Sequence, residues 1–243
     1  MTAPEVFDIR LASSRNLTPS VRELVFERVD GRAIDFQPGQ WVNLVLPLPS
    51  GELKRAYSIA SAPGSARFEL AVTKVTGGPA SEFLHGLADR TTLRAIGPQG
   101  LFTRSPDDHD PSLFVATGTG VTPLRSMMQA ALNRSPKAPL WLLFGARREE
   151  DILYRDEFQQ WAQMHPRVRY EITLSQASAS WAGRRGYVQE HVSQLFSDLR
   201  AKASPHAPHV YVCGLERMVK IVRELVREKL GADRKHVHSE RYD

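Results

Sequence analysis

The chain is poor in cysteine and in long apolar runs. Its one cysteine, Cys213, excludes an internal disulfide and any four-cysteine iron–sulfur cluster held by this chain alone. No stretch reaches the roughly eighteen uninterrupted apolar residues of a membrane-spanning helix, so no membrane partner is expected. The opening residues, MTAPEVFDIR, lack a basic start followed by an apolar stretch. No secretory signal is therefore expected, and the cytoplasm is the expected compartment. Neither a nucleophile elbow nor a P-loop occurs. The histidine pairs HAPH (206–209) and HVH (236–238) each lack a third ligand for a closed metal site. They read as solvated loop residues, and no metal is expected.

What is present fits a globular chain of two domains. The 243 residues are 42% hydrophobic and 24% charged. Residues 1–103 carry 11 Lys and Arg against 10 Asp and Glu, a net of +1. Residues 104–243 carry the remaining 21 and 17, a net of +4. That excess is either the mark of an acidic partner or a merely soluble basic surface. No zinc finger, basic arm or RNA-binding motif accompanies it, so nucleic acid is not expected.

The two halves differ in pattern. Up to about residue 103, short β segments (VFDIRLASS, VRELVFER, QWVNLVLP, RAYSIAS, RFELAVTKV, TTLRAIG) alternate apolar with polar between turn signals. One short helix, about 80–87, interrupts them. The expectation is an N-terminal antiparallel β-barrel over 1–103. A polar hinge follows over 104–110. From 111 to 243 strands and helices alternate, which predicts a doubly wound parallel α/β sheet.

Within the second half, LFVATGTGVTPLRSMMQ reads as strand, glycine turn and helix start. Gly118 and Gly120 would let backbone approach a ligand, with a helix N-terminus to meet a phosphate. Thr122 is the expected N-cap and Pro123 suits the first helical position. The usual dinucleotide fingerprint wants a third glycine where Pro123 stands, and an acidic residue where the next strand ends in Arg147. Taken alone, the motif is equally an ordinary strand-to-helix turn. RAYSIAS, likewise, is either an ordinary strand or a site with a cation, a ring and a hydroxyl close together.

In fixed order along the chain stand RAYSIAS (55–61), GGPASEFL (77–84), GPQGLF (97–102), ATGTGVTP (116–123), YVCGLERM (211–218) and the terminal SERYD. Together they resemble the ferredoxin–NADP reductase superfamily over essentially the whole chain. The resemblance implies a flavin-binding barrel and a nicotinamide-nucleotide domain, with hydride passing between the two rings. By this resemblance Arg55 pairs with the flavin pyrophosphate, Ala56 and Tyr57 border the isoalloxazine with the Tyr57 ring against it, and Ser58 lies near flavin N5. Thr73, Lys74, Gly77, Gly78, Ala80 and Ser81 belong to the flavin diphosphate segment, which favours FAD over FMN. Thr119, Gly120, Thr122 and Pro123 form the nucleotide turn. Cys213 stands near nicotinamide C4 and Gly214 leaves room for the ribose, although Leu215 replaces the proline the family more often carries. Cys213 is equally a small buried hydrophobe at a strand end. Glu240 and Tyr242 fall in the tail that relatives place against the flavin. Ser58, Cys213, Glu240 and Tyr242 are thus the expected catalytic set.

For the extra phosphate of NADPH, some bacterial relatives use three arginines. Arg147 matches the first and Arg184 the third, while Ser175 and Gln176 stand where the second is expected. NADP(H) or NAD(H) therefore both remain as cofactor. The implied activity is an FAD-dependent ferredoxin–NAD(P)+ oxidoreductase, acting as a monomer with an acidic ferredoxin or another one-electron carrier. An NADH-dependent oxygenase reductase component, or a flavin-binding electron-transfer subunit without enzymatic activity, are the alternatives.

Overall fold

The computed structural model describes residues 4–134 and 137–242. The chain divides into two units, Met1–Pro106 with Arg125–Asn133, and Asp107–Leu124 with Arg134–Asp243. Each is described by itself.

The first unit is a six-stranded antiparallel sheet built from β1 (Glu5–Thr18), β2 (Val21–Arg28), β3 (Trp41–Leu48), β4 (Gly51–Ser58), β5 (Arg67–Thr73) and β6 (Thr92–Gln99). Its order is β4-β3-β6-β1-β2-β5. The alternation seen in the sequence becomes a buried face: Ile9, Leu11, Leu24, Phe26, Leu44, Phe68 and Leu70 are fully enclosed. A right-handed twist curls such a sheet on itself. The edge strands meet where the Ala60 amide, just past β4, donates to Glu69 O of β5 at 2.8 Å. The sheet is thus a half-barrel joined at one end rather than a ladder closed along its length. Helix α1 (Pro79–His85) lays Ala80 and Leu84 into this core.

The second unit is an all-parallel sheet of β7 (Ser112–Thr117), β8 (Leu140–Ala146), β9 (Val168–Leu174), β10 (Arg184–Arg185), β11 (His209–Leu215) and β12 (Val237–Tyr242). The order is β10-β9-β8-β7-β11-β12. β7 and β8 are buried along nearly their whole length, as strands covered on both faces must be. The helices are α3 (Arg155–Met164), α4 (Val192–Ala203) and α5 (Glu216–Glu224), while α2 (Val121–Leu132) starts in this unit and from Arg125 onward belongs to the first. Val192, Leu195, Phe196 and Leu199 of α4 repeat at helical spacing and pack into the core with Val115 and Leu143.

Two features depart from the sequence expectation. The tail, expected only as a motif, is the edge strand β12, in parallel register with β11. His209 and His238 are no solvated loop residues either: they lie in β11 and β12, with His209 Nδ1 3.1 Å from His238 Nε2. Burial, helped by the neighbouring His209 and His236, depresses the His238 pKa to about 4. Among the described residues no group of three His, Cys, Asp or Glu side chains is placed to hold a metal ion.

Candidate active site

In the first unit, β4 carries Arg55, Ala56, Tyr57 and Ser58 in register with Leu44, Asn43, Val42 and Trp41 of β3. Tyr57 packs on the barrel core, and burial pushes its phenol up to about 12, so it stays neutral. Ser58 is buried and Ala56 exposed. Like Arg22, which bonds backbone carbonyls and the Ser14 hydroxyl, Arg55 holds no carboxylate. Arg10, Arg15, Arg28, Arg32, Arg67, Arg94 and Arg125 each grip a carboxylate. The exposed Arg55 guanidinium has only the neighbouring Lys54 carbonyl, 2.9 Å from Nη1.

Thr73 and Lys74 are exposed at the end of β5, and the Lys74 amide donates to Ser20 O at 2.7 Å. The GGPASEFL turn begins at Gly77, whose φ of +72° and open surroundings suit glycine alone. The Gly77 amide is taken by Glu82 Oε1 at 2.9 Å. The Ser81 hydroxyl is likewise engaged within the turn, accepting from the Val75 amide at 3.0 Å and lying 3.0 Å from Gly78 O. The donors left for an anion are the amides of Ala80 and Ser81 in the first turn of α1, which have no intrahelical acceptor. An uncommitted guanidinium, a neutral half-buried ring and a glycine turn fit a flavin dinucleotide.

In the second unit two glycine turns pack backbone against backbone. Gly118, at φ +54°, faces open space. Gly120 does not: a Cβ there would lie 2.6 Å from the Cys213 carbonyl carbon and 2.7 Å from Gly214 N. Its missing side chain therefore serves the fit to β11 rather than approach to a ligand. Gly214, at φ +146°, lies instead against the side chains of Thr117 and Met218. Helix α2 starts at Val121, one residue before the expected cap. Thr122 is inside the first turn with its hydroxyl donating to Thr119 O at 2.8 Å, and Pro123 is the third helical residue. Thr119 is half-buried at the turn.

β12 brings the tail to these turns. Cys213 pairs with Glu240 and Leu215 with Tyr242, and the Tyr242 hydroxyl stands 3.4 Å from Thr122 Oγ1. Cys213 is fully buried. Burial first and the Glu240 carboxylate second push its thiol well above the usual range, against a hydrogen bond with Tyr242. A thiol so placed is a neutral hydrogen-bonding group and no nucleophile.

At the ends of β8 and β9, the Ser175 amide donates to Ala146 O at 3.1 Å and the Gln176 amide to Arg147 O at 2.8 Å. The Arg147 side chain is exposed and holds no carboxylate. Arg184 is not gathered with these groups: its Nε is 2.5 Å from Glu171 Oε2. Motif matching passed over Glu171, because a carboxylate in the middle of a strand carries no local signal of what will face it.

Residues 8–103 match the oxidoreductase FAD-binding domain family and residues 114–224 the oxidoreductase NAD-binding domain family. The chain is 63% identical over the whole of both sequences to ferredoxin–NADP reductase B of Sorangium cellulosum. It is 28% identical, over 87% of its own length and 62% of the relative's, to the ferredoxin–NAD(P)+ reductase component of the naphthalene 1,2-dioxygenase/salicylate 5-hydroxylase systems of a Ralstonia species. A ferredoxin–NADP+ reductase from Neisseria gonorrhoeae, solved with bound FAD and NADP, has the same fold: TM-score 0.82, 18% identity, 97% of this chain and 98% of that one. The FAD-binding half-barrel, the glycine-turn nucleotide sheet and these matches together identify the chain as a member of the ferredoxin–NADP reductase superfamily, an FAD- and NAD(P)-dependent oxidoreductase.

Proposed function

We propose that this chain moves electrons between NADPH and an acidic ferredoxin, working as a monomer in the cytoplasm. The observation that carries the reading is the pair of uncommitted guanidinia. Arg55 on β4 and Arg147 after β8 are without carboxylates, at the positions where a flavin pyrophosphate and a nucleotide phosphate are expected. Bound FAD would supply the redox chemistry, accepting two electrons from the nicotinamide and releasing them singly.

The chain's own residues bind, orient and shield. The planar Arg55 fork neutralises diphosphate charge, with the amides at the start of α1 as further donors. The neutral Tyr57 ring offers an apolar face to the isoalloxazine. Ser58, on the same strand, supplies a hydroxyl near N5. In the second unit the Gly118–Gly120 turn takes the nucleotide phosphates, and Cys213 and Gly214 receive the nicotinamide ribose end. The thiol of Cys213 stays protonated there, and Glu240 places a carboxylate beside it. Tyr242, at hydrogen-bond distance from Thr122, covers that end of the turn and must yield to an incoming nicotinamide ring.

The net charge of +5 favours an acidic carrier, since complementary charge speeds encounter. The test is NADPH-driven reduction of a purified acidic ferredoxin at increasing salt. The proposal expects turnover that falls as salt screens the encounter. Absence of ferredoxin reduction by a flavin-loaded, nucleotide-reducible protein would reject ferredoxin as the partner. A second reading, an NADH-using oxygenase reductase component, is favoured by one observation: Arg184 is bound to Glu171 and not left for a 2′-phosphate.

A further inference from the structure

Arg184 and Arg185 stand at the strand ends where an adenosine ribose is expected, and both are held elsewhere. Arg184 pairs with Thr173 in the β9–β10 ladder, yet its Nε bonds Glu171, two residues back along β9. Two residues of strand span about 6.6 Å, so the guanidinium points down the sheet, away from Ser175 and Gln176. Its Nη1 donates to Gln194 Oε1 at 3.2 Å and to His191 Nδ1 at 3.4 Å. His191 can accept there because its Nε2–H is directed to Arg185 O at 2.8 Å. Glu171 is itself fixed: its other oxygen accepts from Arg169 Nε at 2.7 Å, and that guanidinium lies 4.6 Å above the Trp141 ring. The Glu171 and Arg184 side chains are only 20% and 21% exposed, so the pair is a settled one. Arg185 donates to Ser178 O at 2.8 Å and Trp181 O at 2.9 Å, closing the 175–181 loop. Arg148 leans to Glu150, 3.7 Å away. Among the described residues at these strand ends, Arg147 alone is uncommitted.

We propose that Glu171 is a specificity-determining positioning residue: by holding Arg184 down the sheet, it leaves Arg147 as the cation for a 2′-phosphate and limits discrimination between phosphorylated and unphosphorylated adenosine. The inference rests on reading the second unit as the nicotinamide-nucleotide site. With one arginine in place, the preference for the 2′-phosphorylated nucleotide is modest. Removing the Glu171 carboxylate takes away the ion-pair partner of Arg184 and leaves it only the weaker bonds to Gln194 and His191; the like charge of Arg169 then repels it toward the strand ends, and the preference rises.

The experiment titrates the FAD-loaded protein calorimetrically with 2′-AMP and with 5′-AMP, alongside kcat/KM for NADPH and NADH. The variants are Arg147→Gln, Arg184→Gln, Glu171→Ala and the double variant Glu171→Ala/Arg184→Gln. Arg147→Gln is expected to weaken 2′-AMP binding about 10- to 100-fold, the worth of a hydrogen bond to a charged group, with 5′-AMP unchanged. Arg184→Gln leaves the 2′-AMP to 5′-AMP ratio unchanged. Glu171→Ala raises that ratio about tenfold on the same scale, and the double variant loses the gain. A gain of function cannot come from a misfolded protein, which keeps the test sound if Arg184→Gln proves unstable. Loss of 2′-AMP binding in Arg184→Gln as large as in Arg147→Gln would overturn the proposal, as would a Glu171→Ala protein with no gain. Wild-type protein that binds neither nucleotide would overturn the nucleotide site itself, an outcome distinct from both.

Discussion

Substitution of Gly120 by alanine probes the join of the two glycine turns. The added methyl would lie 2.6 Å from the Cys213 carbonyl carbon and 2.7 Å from Gly214 N, and both neighbours are backbone held in the β7–β11–β12 ladder. No side-chain rotation relieves such a contact, so β11 or the turn must shift. Overpacking of a well-packed interior costs about 1–3 kcal/mol, and a backbone neighbour places this site at the upper end, about 3 kcal/mol. Gly118→Ala is the control. It has open space and pays only for an L-residue at φ +54°, about 1–2 kcal/mol. Urea unfolding of both variants, with calorimetric 5′-AMP binding, separates the two effects. Gly120→Ala should lose both stability and nucleotide affinity while retaining FAD, because Arg55 and Tyr57 belong to the other unit. A Gly120→Ala protein as stable as wild type, binding nucleotide normally, would refute the reasoning.

Arg55→Ala should weaken FAD retention about 10- to 100-fold, with Arg55→Lys intermediate, measured as flavin content after gel filtration and as reconstitution affinity. Arg125 is nearly buried, with Nη1 2.5 Å from Glu69 Oε2 and 2.9 Å from Ala60 O. Arg125→Met should therefore cost about 3 kcal/mol in thermal or urea unfolding, by leaving a carboxylate and a carbonyl unmatched. His238 gives a pH dependence. Its pKa is depressed from 6.5 to about 4 in the folded chain, so the unfolded chain binds the proton first. Stability is then unaffected above about pH 6.5, falls as the pH drops from there toward 4, and levels off below. Partial exposure of the ring discounts the total to about 1 kcal/mol. His238→Gln should flatten that slope in unfolding measured across the window.

The architecture was legible because its signals are periodic and local. Alternating apolar residues mark a sheet with one wet face, and continuous apolar runs such as LFVA and LWLLF mark parallel strands buried on both faces. The glycine turns were legible too, though not the reason for each glycine. Gly120 carries no mark in sequence that its neighbour is Cys213, nearly a hundred residues on. The tail escaped as a strand because its sequence is polar, and its partner β11 supplies the pairing over residues 237–242. The same holds for His209 and His238, which become a pair only once β11 and β12 lie in register. Arg184 shows the limit most plainly. Arg184 matches the third arginine position by sequence, yet where its guanidinium points is decided by Glu171, a carboxylate with no motif of its own.

The most direct measurement is anaerobic reduction of the purified protein, followed by loss of the flavin's blue absorption, with NADPH and NADH in parallel. The expected result is a yellow, FAD-containing protein bleached by both nucleotides, faster by NADPH and by a modest factor. A protein that is colourless and cannot be loaded with FAD, or one whose flavin neither nucleotide bleaches, would contradict it.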